Sequence, residues 1–123
     1  LQGMRLYDGS GLSPSNRITA RQLNHILTYM SHSRLFPVFF ESLPLAGFSG
    51  TLAGQLLNTK SEGLLRAKSG SLANVRAFAG YTTTREGSLL AFTFIVNDYE
   101  GQGSIIRNKM LQFLDELTNC CGM

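Results

Sequence analysis

Residues 89–96 read Leu-Leu-Ala-Phe-Thr-Phe-Ile-Val, with one hydroxyl among apolar side chains. A run of this length, rich in β-branched and aromatic residues, suits a strand and is short for a buried helix. Successive strand side chains point to opposite faces, so an apolar residue at nearly every position requires cover on both faces of the sheet. The chain must therefore place packing elements above and below this strand.

The neighbouring segments supply the sheet. Leu64 to Leu72 can be a strand, and Val75 to Thr84 alternates, with Val75, Ala77, Ala79, Tyr81 and Thr83 on one face. Arg85-Glu86-Gly87 is a short turn with a glycine where positive φ is needed, and Ser88 to Asn97 is the next strand. Links this short predict antiparallel pairing.

Helices on either side supply the cover. Residues 7–17 carry turn chemistry at nearly every position and read as a loop. Thr19 is then the N-cap of a helix, Gln22 completes a capping box, and Ile18 and Leu23 take the two staple positions. Leu23, Ile26, Leu27 and Met30 repeat at helical spacing and form its apolar face. Phe36, Val38, Phe39 and Phe40 predict a short core-facing helix that ends near Leu43, before Pro44. Gly47, Gly50 and Gly54 keep the next stretch loop-like until Leu56. A last helix is expected from about Ser104 to Thr118, capped by Ser104, with Ile106, Met110, Phe113, Leu114 and Leu117 on one face. The order of elements gives an α+β fold: antiparallel strands packed by an earlier and a later helix.

Composition narrows the function. At 43% hydrophobic and 15% charged, the 123 residues can bury a core and are not a disordered tail. The net charge of +3 comes from scattered Lys and Arg, with none of the clustering that nucleic-acid binding needs. No segment reaches the ~18 continuous apolar residues of a membrane span, and the opening Leu-Gln-Gly does not read as a leader. Cys120 and Cys121 are adjacent, which fits neither disulfide nor zinc geometry, and they read as an incidental tail. His25 and His32 lack a third ligand at a sensible spacing. Nothing in the pattern calls for a metal or another cofactor.

One segment carries chemistry: Ala67-Lys68-Ser69-Gly70-Ser71-Leu72. A lysine, a hydroxyl residue and a glycine on a strand match the Lys-Thr/Ser-Gly box of penicillin-recognising serine enzymes. Lys68 supplies positive charge beside a carboxylate-bearing substrate, and the Ser69 hydroxyl can hydrogen-bond that carboxylate. Gly70 lets substrate lie close to the strand because no Cβ intervenes. The N–H of Ser71 can point at an oxyanion.

The flanks extend the match. Asp8-Gly9-Ser10-Gly11-Leu12-Ser13 with Asn16 and Thr19, Leu43-Pro44-Leu45-Ala46-Gly47 with Gly50-Thr51-Leu52, and Ala67–Leu72 with Ala79-Gly80-Tyr81 follow in order. Together they resemble the D-Ala-D-Ala carboxypeptidase/endopeptidase family typified by penicillin-binding protein 4. The resemblance covers roughly residues 8–97. It implies a five-stranded antiparallel sheet flanked by helices, with an all-α side facing an active-site cleft. It places Lys68 on the cleft strand, Ser69 on the terminal carboxylate of a D-Ala-D-Ala peptide or a β-lactam, and the Ser71 N–H in the oxyanion hole. Leu12 and Leu72 would flank the pocket for the stem-peptide side chain. Many relatives have Thr where this chain has Ser69, and often Arg where it has Pro14, so the pocket wall here lacks a cation.

The family's Ser-x-x-Lys and Ser-x-Asn motifs do not occur in the 123 residues. Leu57, Leu65 and Ile106 stand three before Lys60, Lys68 and Lys109. The chain is therefore expected to be the C-terminal portion of the catalytic domain, inactive alone, from a parent at the periplasm or cell envelope. Without its helical half it should expose apolar surface and self-associate. A non-catalytic binding module of the same fold, and a β-lactamase or esterase relative, are the alternatives.

Overall fold

The computed structural model describes residues 2–120. Their order is α1 (Ala20–Ser31), α2 (Phe36–Ser42), a 3-10 turn (Gly50–Leu52), β1 (Arg66–Leu72), β2 (Val75–Thr83), β3 (Leu89–Val96) and α3 (Gly103–Asn119). The three strands form one antiparallel sheet in the order β1-β2-β3. The resemblance implies five strands; among the described residues there are three.

The register decides which side chains share a face. Ala67 pairs with Gly80 and Gly80 with Phe92; Ser69 pairs with Phe78 and Phe78 with Phe94. Directly paired residues point the same way, so Ala67, Phe78 and Phe92 form one face. They are buried with Met110, Leu111 and Leu114 of α3, joined by Ala46, Leu52 and Leu65. The opposite face is anchored by Tyr81, whose ring lies 5.2 Å from Phe36 and 5.9 Å from Phe40 of α2. Its phenol donates to the Leu27 carbonyl of α1. The sheet is thus covered on both faces, as β3 requires. Val75, Ala77, Ala79, Tyr81 and Thr83 do share a face, but only Tyr81 of them is buried, while Phe78, Gly80 and Thr82 are buried from the other side.

The capping box forms as expected. The Gln22 N–H donates to Thr19 Oγ1 at 3.0 Å and the Thr19 N–H donates to Gln22 Oε1 at 2.9 Å. The turn after β2 also forms, with Gly87 at φ +86°. Gly80 is fixed by close approach: a Cβ there would run into the Arg66 carbonyl oxygen and stand 2.7 Å from Ala67 Cα.

Two expectations for α3 need correction. Ser104 is not the cap. The helix starts a residue earlier, because the N–H groups of Ile105 and Ile106 both donate to the Gln102 carbonyl, and Gln102 caps without a side-chain bond. The buried face is Met110, Leu111, Leu114 and Thr118, whereas Phe113 is 57% exposed. Phe113 leans on Phe94, ring centroids 5.1 Å apart, instead of entering the core. Thr118 is buried because its hydroxyl accepts from Ser61 Oγ at 2.9 Å and lies 2.7 Å from Thr82 Oγ1. These three hydroxyls tie the loop before β1, the sheet and α3 together. With hydrogen-bond partners they can be buried without the penalty of stranded polar atoms.

Candidate active site

A strand at the edge of a sheet presents unpaired N–H and C=O groups. β1 is such an edge, with β2 on one side only. On the other side residues 44–46 cover its start: Ala46 N–H donates to the Leu65 carbonyl at 2.9 Å, and Ala67 N–H donates to the Pro44 carbonyl at 3.0 Å. Pro44, which has no N–H to give, accepts here through its carbonyl. The Ala67 N–H therefore faces away from β2. Backbone groups alternate sides along a strand, so the N–H and C=O groups of Ser69 and Ser71 face the same open side. The covering segment contributes no backbone bond beyond Ala67 among the described residues. The edge is open where the Lys-Ser-Gly box lies.

The box side chains gather at that opening. Lys68 is exposed, and its Nζ curls back to donate to the Ser69 carbonyl at 2.6 Å. Ser69 Oγ donates to Thr51 Oγ1 at 2.8 Å, which brings the 3-10 turn to the same edge. Gly70 is exposed, and a Cβ there would meet only the Ala77 Cβ at 3.5 Å, an ordinary contact. The protein's own packing thus makes no demand for glycine at 70, and the backbone there is open to solvent. Ser71 is exposed and Leu72 half-buried. An ammonium, a hydroxyl and an outward N–H lie along four consecutive residues, which is donor chemistry for a carboxylate and a developing oxyanion.

Leu12 and Pro14 are not joined to this edge. Both are exposed, Leu12 at 73%. Their loop is closed by a two-way backbone pair between Arg5 and Arg17 and organised around Asp8. The Asp8 carboxylate accepts from Ser10 Oγ, from Asn16 Nδ2 at 2.7 Å and from the N–H groups of Leu12 and Ser13. The Ser10 and Asn16 bonds above all hold its carboxyl below the ordinary carboxylate range, against a smaller opposing effect of desolvation. So the Asp-Gly-Ser-Gly-Leu-Ser segment has an internal reason for its residue types: Asp8 gathers four donors and shapes the turn.

Two concavities lie elsewhere, one of about 340 Å³ lined by Lys60, Thr83 and Arg85, the other beside Leu56 and α3. Neither includes Lys68 or Ser69. Among the described residues no group of three His, Cys, Asp or Glu could hold a metal, and no helix is long and apolar enough to cross a membrane. His32 bonds through Nδ1 to the Thr28 carbonyl at 2.8 Å, a local helix-end contact. Cys120 is exposed, and Cys121 lies outside the described residues. Thr51 is the member of the cluster to which sequence reasoning gave no role. Its only signal was its place in the Gly50-Thr51-Leu52 segment.

Comparison with known proteins bears out the family resemblance. The carboxypeptidase DacB of Mycolicibacterium smegmatis is 42% identical over 103 residues, spanning 78% of this chain and 22% of that protein. The crystal structure of penicillin-binding protein 4 (dacB) from Haemophilus influenzae superposes with a TM-score of 0.84 at 27% identity, covering 97% of this chain and 28% of that one. A second structure of that protein, complexed with a β-lactam, gives 0.78 at 31% identity over 94% and 27%. The chain thus spans about a quarter of the length of these relatives. The profile of one family matches residues 1–117, and the chain belongs to that family, the D-Ala-D-Ala carboxypeptidase 3 (S13) family.

Proposed function

We propose that these residues form one wall of the active site of a serine-type D-Ala-D-Ala carboxypeptidase, which cleaves peptidoglycan stem peptides through an acyl-serine intermediate. The observation that carries this reading is the open edge of β1. It joins Lys68, the Ser69 hydroxyl and the outward-facing Ser71 N–H on one line, with Gly70 bare between them. An extended peptide can lie along such an edge as an added strand. Its terminal carboxylate then meets Lys68 and Ser69, and its scissile carbonyl oxygen accepts from Ser71. The nucleophilic serine comes from chain outside these residues. Its Oγ attacks the carbonyl carbon and gives up its proton, the terminal D-Ala leaves as the amine with a proton added, and water hydrolyses the ester. The same donors suit a β-lactam, which presents a carboxylate beside a reactive carbonyl. Pro14 in place of a cation leaves the side-chain pocket, flanked in this reading by Leu12 and Leu72, without a charge for an acidic stem-peptide group.

The Lys-Ser-Gly box is the last of the family's three boxes, so we assign the 123 residues to the C-terminal portion of the catalytic domain. A peptidoglycan substrate puts the whole protein at the periplasm or cell envelope. Alone, the chain leaves Tyr29, Leu35 and Val38 at least 66% exposed and is expected to self-associate.

Labelling with a fluorescent penicillin tests the reading. A full-length protein carrying this segment should give a denaturation-stable band, and the 123-residue polypeptide none. No band from the full-length protein would favour a non-catalytic binding module. Rapid turnover of the bound penicillin would favour a β-lactamase. A band from the short polypeptide would point to a different nucleophile within it.

A further inference from the structure

We propose that Thr51 is a positioning residue for the Ser69 hydroxyl and, through it, for recognition of a substrate carboxylate; this rests on the carboxypeptidase reading above. The contact spans 18 residues of sequence and joins two side chains that nothing else requires to meet: Ser69 Oγ donates to Thr51 Oγ1 at 2.8 Å. A serine hydroxyl at an exposed strand edge is free to choose among three staggered wells. The bond to Thr51 selects one.

Thr51 can do this because it is itself held. Leu52, the next residue, is 1% exposed and part of the core. Gly50, the residue before, has φ +56°, and a Cβ there would stand 2.8 Å from Pro44 Cγ. The turn is closed by Leu52 N–H to the Ser49 carbonyl and by Ala53 N–H to the Gly50 carbonyl. Gly47 N–H donates to the Leu52 carbonyl at 2.9 Å, tying the turn to the segment that covers the start of β1. Thr51 thus stands between a core anchor and a glycine seated on a proline, and its branched Cβ restricts χ1 further.

The hydrogen-bond arithmetic gives the pair a role toward anions. Each hydroxyl has one proton and two lone pairs. In the unliganded pair the Ser69 proton points at Thr51. To bind a carboxylate, which only accepts, Ser69 must turn its proton outward, and one of its lone pairs then faces Thr51 and can accept the Thr51 proton. Both hydroxyls keep their own protons and no covalent bond changes. The chain from Thr51 to Ser69 to carboxylate is polarised in one sense, which strengthens each bond. A neutral ester in place of the carboxylate draws much less on this arrangement, because bonds to a charged acceptor are the stronger ones.

The test compares acylation efficiency in a full-length protein carrying this segment, using a penicillin with its free carboxylate and the methyl ester of the same penicillin. Thr51→Val keeps the shape and removes the hydroxyl. It should lose about 3- to 10-fold toward the carboxylate, the weight of one hydrogen bond, and markedly less toward the ester. Thr51→Ser should restore the carboxylate preference. Thermal melting checks folding, and if Thr51→Val does not fold, Thr51→Ala serves in the same comparison. Equal losses on the two probes, or no loss, overturn the role of Thr51. An unmutated protein that labels with neither probe overturns the carboxypeptidase reading itself, so the two failures are told apart.

Discussion

The phenol of Tyr81 donates to the main-chain carbonyl of Leu27 at 2.6 Å, a buried bond between the central strand and α1. Around it Phe36, Phe39 and Phe40 set their rings within 6.3 Å of the tyrosine ring. Tyr81 is fully buried and central to its face of the sheet. Tyr81→Phe keeps the ring contacts and removes the bond, so a loss of about 1 kcal/mol is expected by urea unfolding. Burial also pushes the phenol above its ordinary value of 10.0. The folded state therefore holds the proton to higher pH than the unfolded state, and stability falls as pH rises above about 10. That fall should be smaller in Tyr81→Phe; identical alkaline profiles for the two proteins would contradict it.

Gly80 of β2 and Ala67 of β1 are paired with no room for another carbon. In Gly80→Ala the new methyl meets the Arg66 carbonyl and the Ala67 backbone, neither of which can swing aside like a side-chain tip. A destabilisation of about 3 kcal/mol or more is expected, at the upper end of overpacking costs. Gly70→Ala, by contrast, meets one methyl at 3.5 Å and should melt within a few degrees of the parent chain. Thermal melts of the two variants separate a glycine needed for the fold from one that is not.

The contrast between these glycines marks what the sequence could and could not reveal. Local signals were legible: the capping box of Thr19 and Gln22, the Gly87 turn, and the two-sided cover demanded by residues 89–96. The placement of Lys68, Ser69 and Gly70 on a strand was legible too. Thr51 was not, because its contact with Ser69 depends on how a separate turn packs against the strand edge. The buried face of α3 was shifted for a similar reason. Thr118 enters the core only because Ser61 and Thr82 bring partners for its hydroxyl, and periodicity counts a threonine as polar. Leu12 and Pro14 drew their roles from family resemblance alone, and no hydrogen bond among the described residues joins their loop to β1.

Asp8 makes the loop at 7–17 sensitive to acid. Its carboxyl is held below the ordinary 3.8, chiefly by Ser10 and Asn16. An unfolded loop binds the proton first as pH falls, so the loop's stabilisation is complete above about 3.8 and is lost as pH drops through the lower, folded value. NMR shifts of the Leu12 and Ser13 amides should titrate with a midpoint below 3.8, while the amides of α3 stay unchanged. A midpoint at or above 3.8 would mean that the four donors do not hold the carboxylate in solution. Asp8→Ala should abolish the titration and broaden the loop resonances at neutral pH.

Lys68 is the residue on which the proposed chemistry most depends. A D-Ala-D-Ala peptide presents its carboxylate next to the scissile carbonyl, and attack there develops a second negative charge. The Lys68 Nζ, 2.6 Å from the Ser69 carbonyl, already sits at the open edge where both charges would lie. In a cleft shielded from water by the rest of the protein and by substrate, a preorganised cation is worth far more than on a surface. Loss of one such group typically costs ~10²–10³ in rate, and that is the expected effect of Lys68→Ala on penicillin acylation by the full-length protein. Lys60 and Lys109 are exposed in a turn and on α3, where a surface charge contributes about 0–1 kcal/mol, so their alanine variants should acylate at nearly the parent rate. Lys68→Arg should recover only part of the loss, because the guanidinium fork is bulkier and cannot release a proton. The measurement is the acylation rate of the four variants, each shown to be folded by its melting curve. Equal rates for the three alanine variants would reduce the Lys68-Ser69-Gly70 box to a polar strand end.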